Sequence, residues 1–372
     1  MGRFRAQHSV EAILQKACQN IRLTEDETTF LLGLTDGDQL SALFQAARDL
    51  RARNFGEQVF LYGFLYISTY CRNDCNFCFF RKSNTLCRRY RKEDAETLEA
   101  TARLAASGVN LVDLTLGEDP ELYRGGVEGF DRLLRLVERV RESTGLPIMV
   151  SPGAVPDQVL CELAEAGATW YALYQETHQR ALFNQLRPGQ SYDDRLGKKI
   201  LAHELGMFIE EGILRGVGEG AQDVAESLSA MHSLDADQVR AMTFIPQEGT
   251  PLENAGSPDF LQELITIAVM RLTFPDRMIP ASLDVVGLAG LEKRLEAGAN
   301  VVTSLVPPGQ GLSGVAMSSL DIEEGNRTVE SVTATLEANG LRVGSGSEYR
   351  AWLEGRREKI RGRVSRIDVQ CG

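Results

Sequence analysis

The chain has 372 residues, 43% of them hydrophobic and 25% charged, with a formal net charge of -12. That length buries a substantial core, as two domains or as one large α/β barrel. The absence of any long unbroken apolar run excludes a membrane-spanning helix, and the negative balance disfavours a nucleic-acid backbone as the main partner.

At the N-terminus, MGRFRAQHSVEAILQKACQN lacks the apolar core and small-residue cleavage site of a secretory signal, because Glu11, Gln15 and Lys16 interrupt its hydrophobic residues. A cytoplasmic location is expected. Residues 1–55 read as helices preceding the main body. The stretch QVFLYGFLYIST, residues 58–69, is rich in β-branched and aromatic side chains and reads as a buried strand. Further strands are predicted at 110–117, 147–153, 169–176, 208–216, 239–246, 278–284 and 300–307. Helix-length segments with apolar residues three and four apart lie between them, such as KEDAETLEATARLAASG and GFDRLLRLVERVREST. Gly108, Gly145, Gly167, Gly206 and Gly298 stand where helices should stop. Eightfold alternation predicts an α/β fold, a complete (β/α)8 TIM-type barrel over 56–325, with active-site groups at the C-terminal strand ends. A helical extension with a Gly/Ser loop, NGLRVGSGSE, is expected over 326–372, and its basic run REKIRGR is expected to be a solvated helix face.

The first strand delivers YCRNDCNFCFFRK, residues 70–82, with Cys71, Cys75 and Cys78 in C-x3-C-x2-C spacing and Phe77 before the last. Seven cysteines, an odd number with three clustered, do not form a disulfide framework. A closed zinc site wants four ligands; the nearest fourth is Cys87, nine residues on, with no histidine nearby, so such a site is possible but awkward. A [4Fe-4S] cluster held by three thiolates leaves one iron open to a small-molecule ligand.

This arrangement resembles the radical S-adenosylmethionine (SAM) superfamily. The resemblance implies that SAM chelates the open iron and that the reduced cluster cleaves it to a 5'-deoxyadenosyl radical, which abstracts hydrogen from substrate. LGEDP, residues 116–120, is similar to the superfamily's SAM-amino-binding segment, which places Gly117, Glu118 and Asp119 there; the same residues also make an ordinary turn. YQETHQRALFNQLRPGQSYDDR resembles the segment of the [FeFe]-hydrogenase maturase and biotin synthase branch in which a glutamate and a later arginine hold SAM, here Glu176 and Arg195. An external one-electron reductant such as ferredoxin or flavodoxin is implied.

Strand alternation puts Asp113 with Thr115, Arg240 with Met242, and Ser282 with Asp284 on shared faces. Facing inward, these supply two carboxylates, a guanidinium and a hydroxyl, which either satisfy one another or await a charged guest. The complementary guest carries one carboxylate and two ammonium groups: a diamino acid. VRAMTFIPQEGTPLE, RMIPASLD and GANVVTSLVPP, with the motifs above, resemble the methylornithine synthase family of pyrrolysine biosynthesis across nearly the whole chain. The resemblance implies rearrangement of L-lysine to (3R)-3-methyl-D-ornithine, with Asp113, Arg240, Ser282 and Asp284 holding the substrate. The rivals are a maturase or biotin synthase relative acting on another small substrate, and a non-enzymatic iron–sulfur protein. Residues 307–325 offer either a segment to close the barrel mouth or a loop with no such part. His8, His178, His203 and His232 read as surface or loop residues, and Cys18, Cys87, Cys161 and Cys371 receive no role.

Overall fold

The computed structural model describes residues 9–256, 259–307 and 327–370, the side chains of 361–370 excepted. All eight expected strands form: β1 (Gln58–Ser68), β2 (Leu111–Leu116), β3 (Ile148–Ser151), β4 (Ala168–Ala172), β5 (Phe208–Arg215), β6 (Gln238–Thr243), β7 (Pro280–Ser282) and β8 (Val301–Leu305). They pair in parallel in the order β6-β5-β4-β3-β2-β1-β8-β7. The ring closes between β6 and β7 through one bridge, Gln238 to Met278, with Val239 N donating to Met278 O at 3.0 Å. Pairing is thin there because β7 is three residues long and begins with Pro280, which has no N–H to donate.

The connecting helices follow the predicted periodicity. Asp131–Thr144 buries Leu133, Leu136, Val137 and Val140 on one stripe, roughly 1.5–3 kcal/mol for each fully buried side chain. It ends at Gly145, whose φ of 66° a side chain would disfavour. The three N-terminal helices start at side-chain caps, most fully at Thr24, which forms a capping box with Glu27. Their buried residues Ile13, Leu31, Leu43 and Leu50 share one core with Ile265 and Val269 of the helix Phe260–Thr273.

The C-terminal region departs from expectation in two ways. A two-residue strand, β9 (Arg342–Val343), pairs in parallel with Gln58 and Val59 at the start of β1; so short a pairing leaves no periodic signal. The helix Gly346–Gln370 then crosses the N-terminal ends of the strands, packing Tyr349, Trp352 and Leu353 against Phe60, Tyr62, Trp170 and Phe208. The Trp170 and Trp352 rings stack at 6.0 Å and 4°, and the Tyr62 and Tyr349 hydroxyls meet at 2.8 Å. The basic run is therefore not simply solvated: Arg357 lies over Phe208 and Lys359 pairs with Asp276 at 2.8 Å, beside buried Arg356 on Asp237 at 2.5 Å. Of the segment 307–325, all but Pro307 lies outside the described residues.

Candidate active site

At the C-terminal strand ends a cavity of about 250 Å³ opens, and Cys71, Cys75 and Cys78 line it together with Asp113, Glu118, Glu176, Arg195, Arg240 and Asp284. The loop carrying the cysteines leaves β1 at Ser68 and is folded back by Arg89, whose guanidinium donates to Phe80 O at 2.9 Å, Arg81 O at 2.6 Å and Asn84 O at 3.4 Å, and to Thr69 O. Gly117 packs directly beneath the first cysteine: a Cβ there would lie 2.5 Å from Tyr70 O and 2.9 Å from Cys71 Cβ. Only glycine allows that approach.

Cys75 Sγ accepts from Gln190 Nε2 at 3.0 Å and Arg187 Nη1 at 3.5 Å, and Cys71 Sγ accepts from Asn73 N at 3.4 Å. Burial pushes the Cys71 thiol up to about 11, and Cys78 is raised further by burial and by the neighbouring Cys75. Among the described residues, no three Cys, His, Asp or Glu side chains close in on a single metal ion, as a zinc site requires. The surrounding chemistry suits an iron–sulfur cluster: three thiols, hydrogen-bond donors aimed at sulfur, and two buried guanidiniums behind them.

The wall beside the cysteines is built by the turn after β4. Glu176 sits there at φ 69°, a left-handed conformation unusual for glutamate, with its N–H on Gly212 O at 3.0 Å and its carbonyl accepting from Leu214 N at 3.0 Å. Such backbone strain, about 1–3 kcal/mol, persists only where neighbours enforce it. Glu211 does so from behind: its Oε1 accepts from Gln175 N at 2.7 Å and Gly212 N at 2.9 Å, while Oε2 pairs with buried Lys199. The Lys199 ammonium holds the Glu211 carboxyl down at about 2 against the cost of burial. His178 belongs to this support. It lies in a loop, as expected, but is 2% exposed, with Nδ1 2.8 Å from Tyr192 Oη and Nε2 3.4 Å from Glu211. The sequence offered no second face by which to see its burial.

Arg187 donates to Glu176 Oε1 at 2.5 Å, and Arg195 donates to Tyr174 O at 2.5 Å and Gln190 Oε1 at 3.2 Å. Glu118 accepts from Arg72 at 2.8 Å and Ala154 N at 3.1 Å, with Arg195 at 3.8 Å. Glu176 Oε2, Arg187 Nε and Arg195 Nε are buried without a hydrogen-bond partner among the described residues. Unmet polar atoms of both signs beside the thiols fit a ligand bearing an ammonium and a carboxylate. Asp119 is placed elsewhere. It does not line the cavity, because its carboxylate is taken by Arg91 at 2.6 and 2.7 Å and Ser68 at 2.6 Å, and it caps the helix Pro120–Arg124. Turn chemistry prevails at that position.

Deeper in the barrel, Asp113, Thr115, Arg240, Met242 and Asp284 line the cavity, whereas Ser282 is buried beside it without lining it. Asp113 and Arg240 face the lumen, each three residues before the end of its strand. Arg240 Nε donates to Glu210 at 2.7 Å, and its guanidinium lies over the Tyr174 ring. Among the described residues Asp113 has no cationic hydrogen-bond partner, and Ser151 donates to it at 3.4 Å; burial first and then Glu210 raise its carboxyl from 3.8 to about 7. Across the lumen, Asp284 accepts from Ser282 at 3.1 Å, Ser304 at 2.7 Å and Arg327 at 3.0 Å. Ser304, like Glu176, is held at φ 69°.

Residues 65–231 match the Radical SAM superfamily. The 3-methylornithine synthase of Methanosarcina barkeri is 43% identical over 92% of this chain and 97% of its own. This chain belongs to the 3-methylornithine synthase family. A crystal structure of methylornithine synthase superposes with a TM-score of 0.86 at 43% identity, covering 91% of this chain and 99% of that one. The [FeFe] hydrogenase maturase subunit HydE of Thermotoga maritima is 32% identical over 73% of this chain and 77% of its own. Within the methylornithine synthase frame, sequence reasoning missed Glu210, Arg327, Arg187 and Gln190. Glu210 carried a signal: in FIEEGILRG two adjacent glutamates occupy opposite faces of one strand, so one of them must enter the lumen.

Proposed function

We propose that this chain is a radical SAM carbon-skeleton mutase that converts L-lysine to (3R)-3-methyl-D-ornithine, the first step of pyrrolysine biosynthesis. The observation that carries the reading is the charge of the lumen. Asp113, Glu210 and Asp284 are three carboxylates, and Arg240 and Arg327 are two guanidiniums, so the fully ionised set has one net negative charge. Zwitterionic lysine has one net positive charge, arranged as two ammoniums and a carboxylate.

When bound on Cys71, Cys75 and Cys78, a [4Fe-4S] cluster with SAM supplies abstraction of a hydrogen atom from unactivated carbon. The chain's own residues do the positioning. Glu118, Glu176 and Arg195, with Gly117 permitting close approach, receive the amino and carboxylate ends of SAM. Arg240, oriented by Glu210, grips the substrate carboxylate; Asp113, Ser282 and Asp284 take the ammoniums. Loss of a hydrogen from lysine Cγ lets the Cα–Cβ bond break into a glycyl fragment and an aminobutene. Rejoining at the other alkene carbon and return of the hydrogen give a branched isomer with no atom gained or lost. Both fragments are held by their charged ends during the interval, which keeps them within bonding reach. A one-electron reductant such as ferredoxin or flavodoxin is the expected partner, with no nucleic acid or membrane. Among the described residues no helix is long and apolar enough to cross a membrane, and a cytoplasmic setting fits the free thiols. In this reading residues 56–325 serve as the catalytic barrel, with 1–55 as the N-terminal segment and 326–372 as the C-terminal extension.

The test is anaerobic turnover of the reconstituted, reduced protein with SAM and lysine deuterated at Cγ, followed by mass spectrometry. A lysine isomer with a new methyl group, and deuterium shared with 5'-deoxyadenosine, is the expected result. SAM cleavage with lysine untouched would refute the substrate; no cleavage from an intact reduced cluster would refute the enzyme.

A further inference from the structure

The loop that carries the three cysteines has a charge opposite to that of the chain around it. Residues 71–92 hold seven arginines and lysines against one aspartate, a surplus of six positive charges within a chain of net charge -12. Several of these cations have internal duties: Arg89 pins the loop through four carbonyls, Arg91 pairs with Asp119, and Lys92 pairs with Glu96. Lys82 and Arg88 face outward, and Arg72, which donates to Glu118 at 2.8 Å and lies over the Tyr123 ring, keeps an exposed edge beside them. Arg72 is 46% exposed, Lys82 is 59% exposed with Asp74 no nearer than 3.9 Å, and Arg88 is exposed.

Between Lys82 and Arg88 stands Leu86, 57% exposed and the most exposed large hydrophobic side chain among the described residues. The turn beneath it is fixed rather than frayed: Asn84 Nδ2 donates to Phe79 O at 3.0 Å and Glu248 O at 2.9 Å, and Leu86 N donates to Asn84 Oδ1 at 3.0 Å. Next to Leu86, Cys87 turns inward and packs in one apolar cluster with Phe79, Phe80 and Tyr66, against which Cys78 also packs. One layer of aromatic rings therefore separates the Leu86 surface from the third cysteine. An apolar knob rimmed by cations, backed by a short packed path to the site, has the composition of a small transient docking surface.

The geometry points to the outer face of residues 72–88 as the docking surface for an acidic one-electron carrier protein, seated on Leu86 and steered by Arg72, Lys82 and Arg88. This rests on the reading of the three cysteines as ligands of a reducible cluster. In the transfer, the reduced carrier loses one electron and the oxidised cluster gains it; no atom moves. Basic charge on this face, within a chain that otherwise repels acidic proteins, selects both the partner and its orientation.

The experiment uses the reconstituted protein and a purified flavodoxin, and compares the natural sequence with the double variant Lys82→Glu, Arg88→Glu and with Leu86→Ser. The first readout is the dissociation constant for flavodoxin by calorimetry; the second is bleaching of the visible cluster absorbance after mixing with reduced flavodoxin or with dithionite. The expected result is a dissociation constant raised about tenfold or more by the charge reversal, with flavodoxin-driven bleaching slowed and dithionite-driven bleaching unchanged. Added salt should slow the natural protein with flavodoxin and flatten the difference between it and the double variant. Flavodoxin binding and bleaching that ignore these substitutions, or that are indifferent to salt, overturn the assignment. So does a face that binds a short single-stranded RNA in preference to the carrier. Bleaching by neither reductant would instead defeat the cluster reading, and calorimetry still judges the docking surface.

Discussion

Replacing Asp113 by asparagine should stabilise the ligand-free protein while weakening its hold on lysine, and the two effects share one cause. The Asp113 carboxyl is raised from 3.8 to about 7, first by burial and then by Glu210. Because its folded pKa lies above the unfolded one, the folded chain binds an extra proton between about pH 4 and pH 7, so stability falls as pH rises through that window and the penalty is complete above it. Three pKa units correspond to about 4 kcal/mol at pH 8 and about 1.5 kcal/mol at pH 5. Asp113 faces an open cavity, and water there screens the charge, so about half of each figure is a fair expectation. Thermal unfolding of natural and Asp113→Asn protein should show the variant melting a few degrees higher at pH 8 and nearly level at pH 5. Calorimetric titration with lysine in the absence of SAM should show affinity lowered about thirtyfold or more, from loss of a charge-assisted hydrogen bond. A variant that is less stable at pH 8, or a gain equal at both pH values, would refute the assignment of Asp113 as an unpaired lumen carboxylate.

Other perturbations address the neighbouring contacts. Glu210→Gln leaves the Arg240 guanidinium buried without its counter-ion and should cost roughly 3–5 kcal/mol in chemical denaturation, with a raised KM for lysine. Gly117→Ala drives a methyl group into Tyr70 O and Cys71; iron and sulfide per chain should fall by more than about half while far-ultraviolet circular dichroism is retained. Tyr349→Phe removes the partner of the buried Tyr62 hydroxyl and should cost about 1–3 kcal/mol, read from the denaturation midpoint. Glu211 has its folded pKa lowered from 4.5 to about 2, so its contribution is complete above pH 4.5 and lost as pH falls toward 2; Glu211→Gln should flatten that part of an acid-unfolding curve.

The barrel was legible because its strands are rich in β-branched or aromatic residues and alternate with helices, several of them amphipathic and closed by glycine as at Gly108 and Gly145, a pattern that local sequence expresses. The lumen residues Asp113 and Arg240 were legible for a related reason: in a closed barrel, period-two alternation converts position directly into inward or outward. Alternation says nothing about what stands behind a residue. Glu210 supports Arg240 from the adjacent strand, and Arg327 reaches Asp284 from 43 residues away. Pairings across such separations depend on tertiary register. Asp119 shows the converse, a residue whose local capping chemistry outweighed the motif around it. The helix of the C-terminal extension was expected, but β9 and the docking of that helix were not: a two-residue strand and a polar helix carry almost no periodic signature of where they pack, although Trp352 and Tyr349 bury against the barrel floor.

Among the described residues, that floor covers the N-terminal end of the barrel, and the cavity opens at the C-terminal strand ends. Asp113 and Arg240 lie three residues inside their strands, roughly 10 Å below the rim where the cysteines and Glu176 stand. Whatever occupies the rim stoppers what lies beneath it. On the proposed reading, lysine loads before the upper ligand is seated, and the rearranged product leaves after the spent upper ligand has gone. On that reading the shape of the molecule sets an order of addition and release, with the last substrate to arrive serving as the cork.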